Sequence, residues 1–185
     1  MIGADNVIYN QVERLDESCQ NGAQPTPDII IIAAGTNDAW FVKKRPGVFS
    51  KTASQACRMK ETISTLPPGR ITSLAEAVVF NTERLRQRFP EARIILLTPL
   101  QSVHPTEANF ARATAIIEEC GRLLGLPVVR QDVECCVRRA DEARHRRYTS
   151  DGTHTSEEGA KEVGTYLAGR IASILNPETS NHQNP

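Results

Sequence analysis

Two short clusters in this sequence have the residue types that could do chemistry. Asp151-Gly152-Thr153-His154 places a carboxylate three residues before an imidazole. A histidine acting as a general base needs its ring fixed by a carboxylate on the other nitrogen. An aspartate three residues upstream in a tight loop can fold back onto that ring, and Gly152 permits the turn. The second cluster, Gly35-Thr36-Asn37-Asp38, directly follows four consecutive isoleucines. A side-chain amide there can point its NH2 donors at a developing oxyanion. Each cluster alone also has an ordinary reading: a Gly/Asn/Asp turn for the first residues of one, and a solvated surface loop for the other.

The elements around the clusters say how they would be positioned. Residues 28–34 read D-I-I-I-I-A-A, an unalternating apolar run that predicts a strand buried on both faces, as in a parallel sheet. Residues 93–98 give a second strand, stopped by Pro99, and residues 127–130 a third. Helices are expected at 9–19, 73–89, 106–124 and 156–175. Ser73 and Glu76 form a capping box, and Gly125 stops the third helix. Thr155 and Glu158 are the expected cap of the last. Strands alternating with helices predict an α/β fold with a parallel sheet. In such sheets ligands bind at the carboxyl ends of strands, which is where Gly35–Asp38 stands. The segments 40–70 and 133–148 have no assigned element.

With 185 residues, 39% of them hydrophobic and 24% charged, the chain suits one domain with an ordinary core. Twenty-two basic and 22 acidic side chains cancel, so nothing global argues for nucleic acid or an anionic membrane surface. No apolar run approaches the roughly 20 residues of a membrane span. The first residues, Met1 to Asn6, lack the basic-then-apolar pattern of a signal peptide, and the compartment stays open. The five cysteines form no CxxC pair, and no metal site is expected. Cys120 falls on an apolar helical face. Cys135-Cys136 read as two ordinary thiols or as a strained vicinal disulfide.

An apolar strand ending in G-T-N-D, a strand-helix-strand stretch, then D-G-T-H before a terminal helix resembles the SGNH/GDSL-type serine hydrolases, over roughly Gly3 to Leu175. The resemblance implies a three-layer α/β/α fold with a flavodoxin-like parallel sheet. It implies ester hydrolysis by a Ser-His-Asp mechanism without a cofactor, on a small-molecule, carbohydrate or lipid ester. His154 would be the general base, Asp151 its orienting acid and Asn37 an oxyanion donor. A second oxyanion donor in the family is a glycine backbone N–H, which Gly3 or a neighbour would supply. Gly35, Trp40 and Phe41 would border the substrate pocket. The two aromatic residues either stack on a sugar or acyl chain or cap the core.

The sequence departs from the family in one respect that touches the chemistry. The family's G-D-S motif, whose serine is the nucleophile, is absent from the chain. Ser150 adjoins Asp151, and Ser102 has neither a G-D-S context nor a nucleophile elbow. The isoleucine strand resembles the family's third, and the 27 residues before it leave no room for two more strands. The expectation is therefore a partial hydrolase domain over 1–175, truncated at its N-terminus with the first two strands absent, and a disordered tail over 176–185. The isoleucine strand would then be a bare edge, open to self-association through residues 28–34. The alternative is a pocket-bearing binding module of the same fold without catalysis. Lys43, Lys44 and Arg45 and the arginines from 138 to 147 read as solvated, and His104, His145 and His182 carry no assigned role.

Overall fold

The computed structural model describes residues 7–176. Gly3 and residues 177–185 of the expected disordered tail lie outside the described residues. The fold is α/β: among the described residues, a small parallel sheet of three strands with helices packed around it. The strands are β1 (Ile29–Ala33), β2 (Arg93–Leu97) and β3 (Val128–Val129), in spatial order β1-β2-β3. Ile30 lies opposite Ile94, and Ile32 opposite Leu96.

The chain forms two compact units. One comprises the chain to Pro99 with Pro105–Val128; the other comprises Leu100–His104 and the chain from Val129 onward. In the first unit, α1 (Val7–Gln20), α2 (Thr36–Trp40), α3 (Ala53–Arg58), α4 (Lys60–Thr65), α5 (Leu74–Arg88) and α6 (Glu107–Leu124) accompany β1 and β2. The helix starts follow the sequence closely. Ser73 and Glu76 make the capping box of α5, Thr106 caps α6, and Gly125 ends α6 in the left-handed conformation. Most of α5 is buried, from Leu74 through Leu85, with Phe80 1% exposed at its middle. Its half-buried C-terminal end is tied to α1 by charge: Glu13 accepts from Arg84 at 2.8 Å and from Arg88 at 2.8 Å, and Asp16 pairs with Arg88.

The isoleucine strand is not buried on both faces as its composition suggested. Ile30 and Ile32 are buried, whereas Ile29 is 38% and Ile31 44% exposed. The cause is position: among the described residues β1 has β2 as its one strand neighbour and stands at the edge of the sheet. Beside it runs an open groove of about 370 Å³, bordered by Val12 and Leu15 of α1, by Leu85 and by β1 itself. The segment 40–70, without an assigned element in the sequence, holds α3 and α4. Thr52 and Gln55 form a capping box for α3, a signal the sequence does carry.

In the second unit, α7 (Gln131–Glu134), α8 (Arg139–Arg144) and α9 (Glu157–Leu175) surround a small core of Cys135, Val137 and Val163. The cap of α9 is Ser156, not Thr155: its hydroxyl accepts from Gly159 N at 3.1 Å and donates to Arg147 O at 2.7 Å. Thr155 is instead paired with Thr149 in an antiparallel bridge. Only Gly159 and Val163 of α9 are buried, fewer than its apolar spacing predicts.

Candidate active site

Asn37 belongs to the first unit, and Asp151 and His154 to the second. Gly35 makes the turn out of β1, with φ at +114°, a conformation L-residues avoid. A Cβ there would also stand 2.8 Å from Ile117 Cδ1. The turn delivers the chain into α2, so that Asn37 stands in the first turn of a helix just beyond the strand's carboxyl end. Its side chain is exposed, and no described residue hydrogen-bonds its amide. Asp38, by contrast, is buried. Trp40 and Phe41 are half-buried and stacked on each other, ring centroids 4.9 Å apart at 12°. The Lys44 ammonium lies 5.2 Å from the Phe41 ring, a cation–π distance, while the residue stays exposed.

In the second unit the D-G-T-H loop is a tight turn closed by Ser150 N–H donating to His154 O at 2.8 Å. Asp151 Oδ2 lies 2.7 Å from His154 Nδ1. Its Oδ1 accepts from the backbone N–H of Thr153 at 2.9 Å and of His154 at 2.8 Å. The His154 backbone bond, its ring bond and the Thr153 N–H hold the Asp151 carboxyl well below the usual carboxylate range. An ionised carboxylate only accepts, so the imidazole proton sits on Nδ1 and Nε2 carries the lone pair. Both side chains are exposed, and among the described residues none bonds Nε2. Gly152, φ +90°, is required: a Cβ would drive into Val103 and the Arg146 side chain.

The loop is held from below by Ser102 and Val103, to which the sequence assigns no supporting role. Val103 N–H donates to Gly152 O at 3.0 Å, and the Ser102 and Thr153 hydroxyls bond at 2.6 Å. Ser102 is 2% exposed and also accepts from His104 N at 3.3 Å, which commits it to structure. The cysteines are free thiols. Burial pushes Cys57 and Cys120 up, and burial beside Cys135 pushes Cys136 up to about 11, so these three stay protonated at neutral pH. Among the described residues no group of three or more His, Cys, Asp or Glu is placed to hold a metal. No helix among them is long and apolar enough to cross a membrane.

Residues 2–162, which span both motifs, match the GDSL-like lipase/acylhydrolase family. The chain belongs to this family. A possible lipase from Chitinophaga pinensis DSM 2588 shares its fold, with a TM-score of 0.57 at 17% identity over 88% of this chain and 79% of that one. A second solved structure reaches 0.63 at 17% identity, over 88% of this chain and 70% of its own. No curated protein sequence matches the chain. Membership places the protein in a hydrolase family.

Proposed function

We propose that this GDSL-like chain supplies the base, the acid and an oxyanion donor for ester hydrolysis by a Ser-His-Asp mechanism. A serine oxygen attacks the ester carbonyl while His154 Nε2 takes its proton, and ionised Asp151 stabilises the imidazolium. The Asn37 amide donates to the tetrahedral oxyanion, with a backbone N–H at or beside Gly3 as its companion. The imidazolium then protonates the departing alcohol, and a water repeats the sequence on the acyl-enzyme. Gly35, Trp40 and Phe41 border the pocket that takes the small-molecule, sugar or lipid ester. The attacking serine is not one of the chain's own, since none stands in a G-D-S motif.

The observation that supports this reading most is the 2.7 Å contact between Asp151 and the His154 ring, which leaves the Nε2 lone pair as the base. The test compares residues 1–185 with a version extended at the N-terminus by a G-D-S-bearing segment. The extended protein should hydrolyse nitrophenyl acetate, label with a fluorophosphonate and lose both on replacing the added serine. His154→Ala should abolish its turnover. Removing a triad member typically costs about four to six orders of magnitude in turnover. An extended protein that binds esters without turning them over would establish the binding-module reading instead.

A further inference from the structure

The charge-rich segment before the D-G-T-H loop contains one buried carboxylate whose partners all lie at the base of that loop. Glu142, on α8, is 1% exposed. Its Oε1 accepts from Tyr148 N–H at 3.0 Å. Its Oε2 accepts from Thr149 N–H at 2.9 Å and from the Thr149 hydroxyl. Thr149, itself 1% exposed, then accepts from Gly152 N–H at 3.1 Å. The direction of this relay is fixed by chemistry: a backbone N–H only donates and a carboxylate only accepts, so the hydroxyl proton must point at Glu142. Gly152 is the residue between Asp151 and the Thr153-His154 pair. The relay therefore pins the middle of the turn from its buried side, while the Asp151–His154 contact forms on its exposed side.

We propose that Glu142 is the positioning residue of the general base, acting through Thr149 to hold the turn in which Asp151 grips His154. The proposal rests on the reading of His154 as base. Ordinarily a buried carboxyl is driven toward its neutral form. Here burial opposes ionisation, but bonds from the Thr149 hydroxyl and the Tyr148 and Thr149 N–H groups, with the nearby Arg146 charge, leave the Glu142 pKa lowered. The ionised form is the one that accepts at both oxygens. Glutamine has the same shape but would present an NH2 where one of these donors already points.

The tautomer of His154, read from its ring nitrogen shifts at pH 8 on the intact chain, tests this. A ring paired through Nδ1 to a carboxylate holds its proton on Nδ1, whereas a released ring reverts to the mixture of free imidazole. The unaltered chain and Thr149→Ser should show the Nδ1–H form. Glu142→Gln and Thr149→Val should shift to the mixture and exchange the Gly152 amide about tenfold faster or more. A role confined to stability would lower the melting temperature and leave the tautomer alone, and that result overturns the proposal. Should Glu142→Gln fail to fold, Thr149→Val decides, and its retention of the Nδ1–H form would overturn it equally. Because the readout is loop geometry and not hydrolysis, a failure of the esterase reading leaves this result separately legible.

Discussion

Asp151 holds His154 at two points, the ring through Oδ2 at 2.7 Å and the backbone N–H through Oδ1 at 2.8 Å. One carboxylate thus fixes both the main chain and the side chain of the same residue. Replacing it by asparagine preserves shape but puts an NH2 against one set of donors. Asp151→Asn should cost the extended, serine-bearing protein about four orders of magnitude in kcat, the usual result of a wrongly held tautomer. A loss of less than tenfold in a steady-state assay would count against Asp151 as the orienting acid.

The same contacts set a pH limit. Folding lowers the Asp151 pKa, so the order this carboxylate confers is complete above the ordinary aspartate value of about 3.9. It is lost as pH falls through the lower folded-state value. The Asp151 carboxyl-carbon shift, followed by NMR, should keep its ionised position through pH 4 and move only below it.

Gly152→Ala should destabilise the second unit by about 1–3 kcal/mol, since it combines a left-handed backbone with contacts to Val103 and Arg146. Urea denaturation measures the loss, and the His154 tautomer should relax in the same variant.

Ser102→Ala separates a structural serine from a nucleophile. The hydroxyl bonds Thr153 and His104 in a buried place, so its removal should cost about 1–3 kcal/mol. Fluorophosphonate labelling of the extended protein should be unchanged. If labelling of residues 1–185 is seen and Ser102→Ala abolishes it, the assignment of the nucleophile elsewhere is wrong.

Ile31→Lys tests the open edge. With Ile31 44% exposed on an edge strand, the lysine should change stability by less than about 0.5 kcal/mol. If β1 pairs with a second copy, light scattering should show association of the unaltered chain and less of it in the variant, because a charge on an edge discourages strand pairing.

The periodic helices and the three strands were legible because capping boxes, stops and apolar spacing act within a few residues. Ser73 with Glu76 and Gly125 at the end of α6 are local signals with local consequences. The Asp151–His154 contact was legible for the same reason, as part of one short contiguous run. What escaped was set by distant neighbours. Ile29 and Ile31 look like core residues, and their exposure depends on what lies beside β1. Glu142 looks like any residue of a charged segment, and its burial depends on Thr149 folding back onto it. Ser156 and not Thr155 caps α9 because the bridge to Thr149 keeps Thr155 extended and the helix begins only at Glu157.

The clamp between Ser102 and Thr153 joins residues 51 apart in sequence. On a ribosome adding about 5–20 residues per second, Ser102 waits several seconds for its partner to be made. The α5 capping box and the β1–β2 pairing need nothing beyond Leu97, so that part of the sheet can form first. Closing a loop of this length costs chain entropy that grows as the logarithm of its length and is recovered only when the clamp shuts. The loop bearing Asp151 and His154 is therefore among the last parts of the chain to become ordered during synthesis. A chain stalled before Thr153 would own the paired strands β1 and β2 but no Asp151–His154 contact.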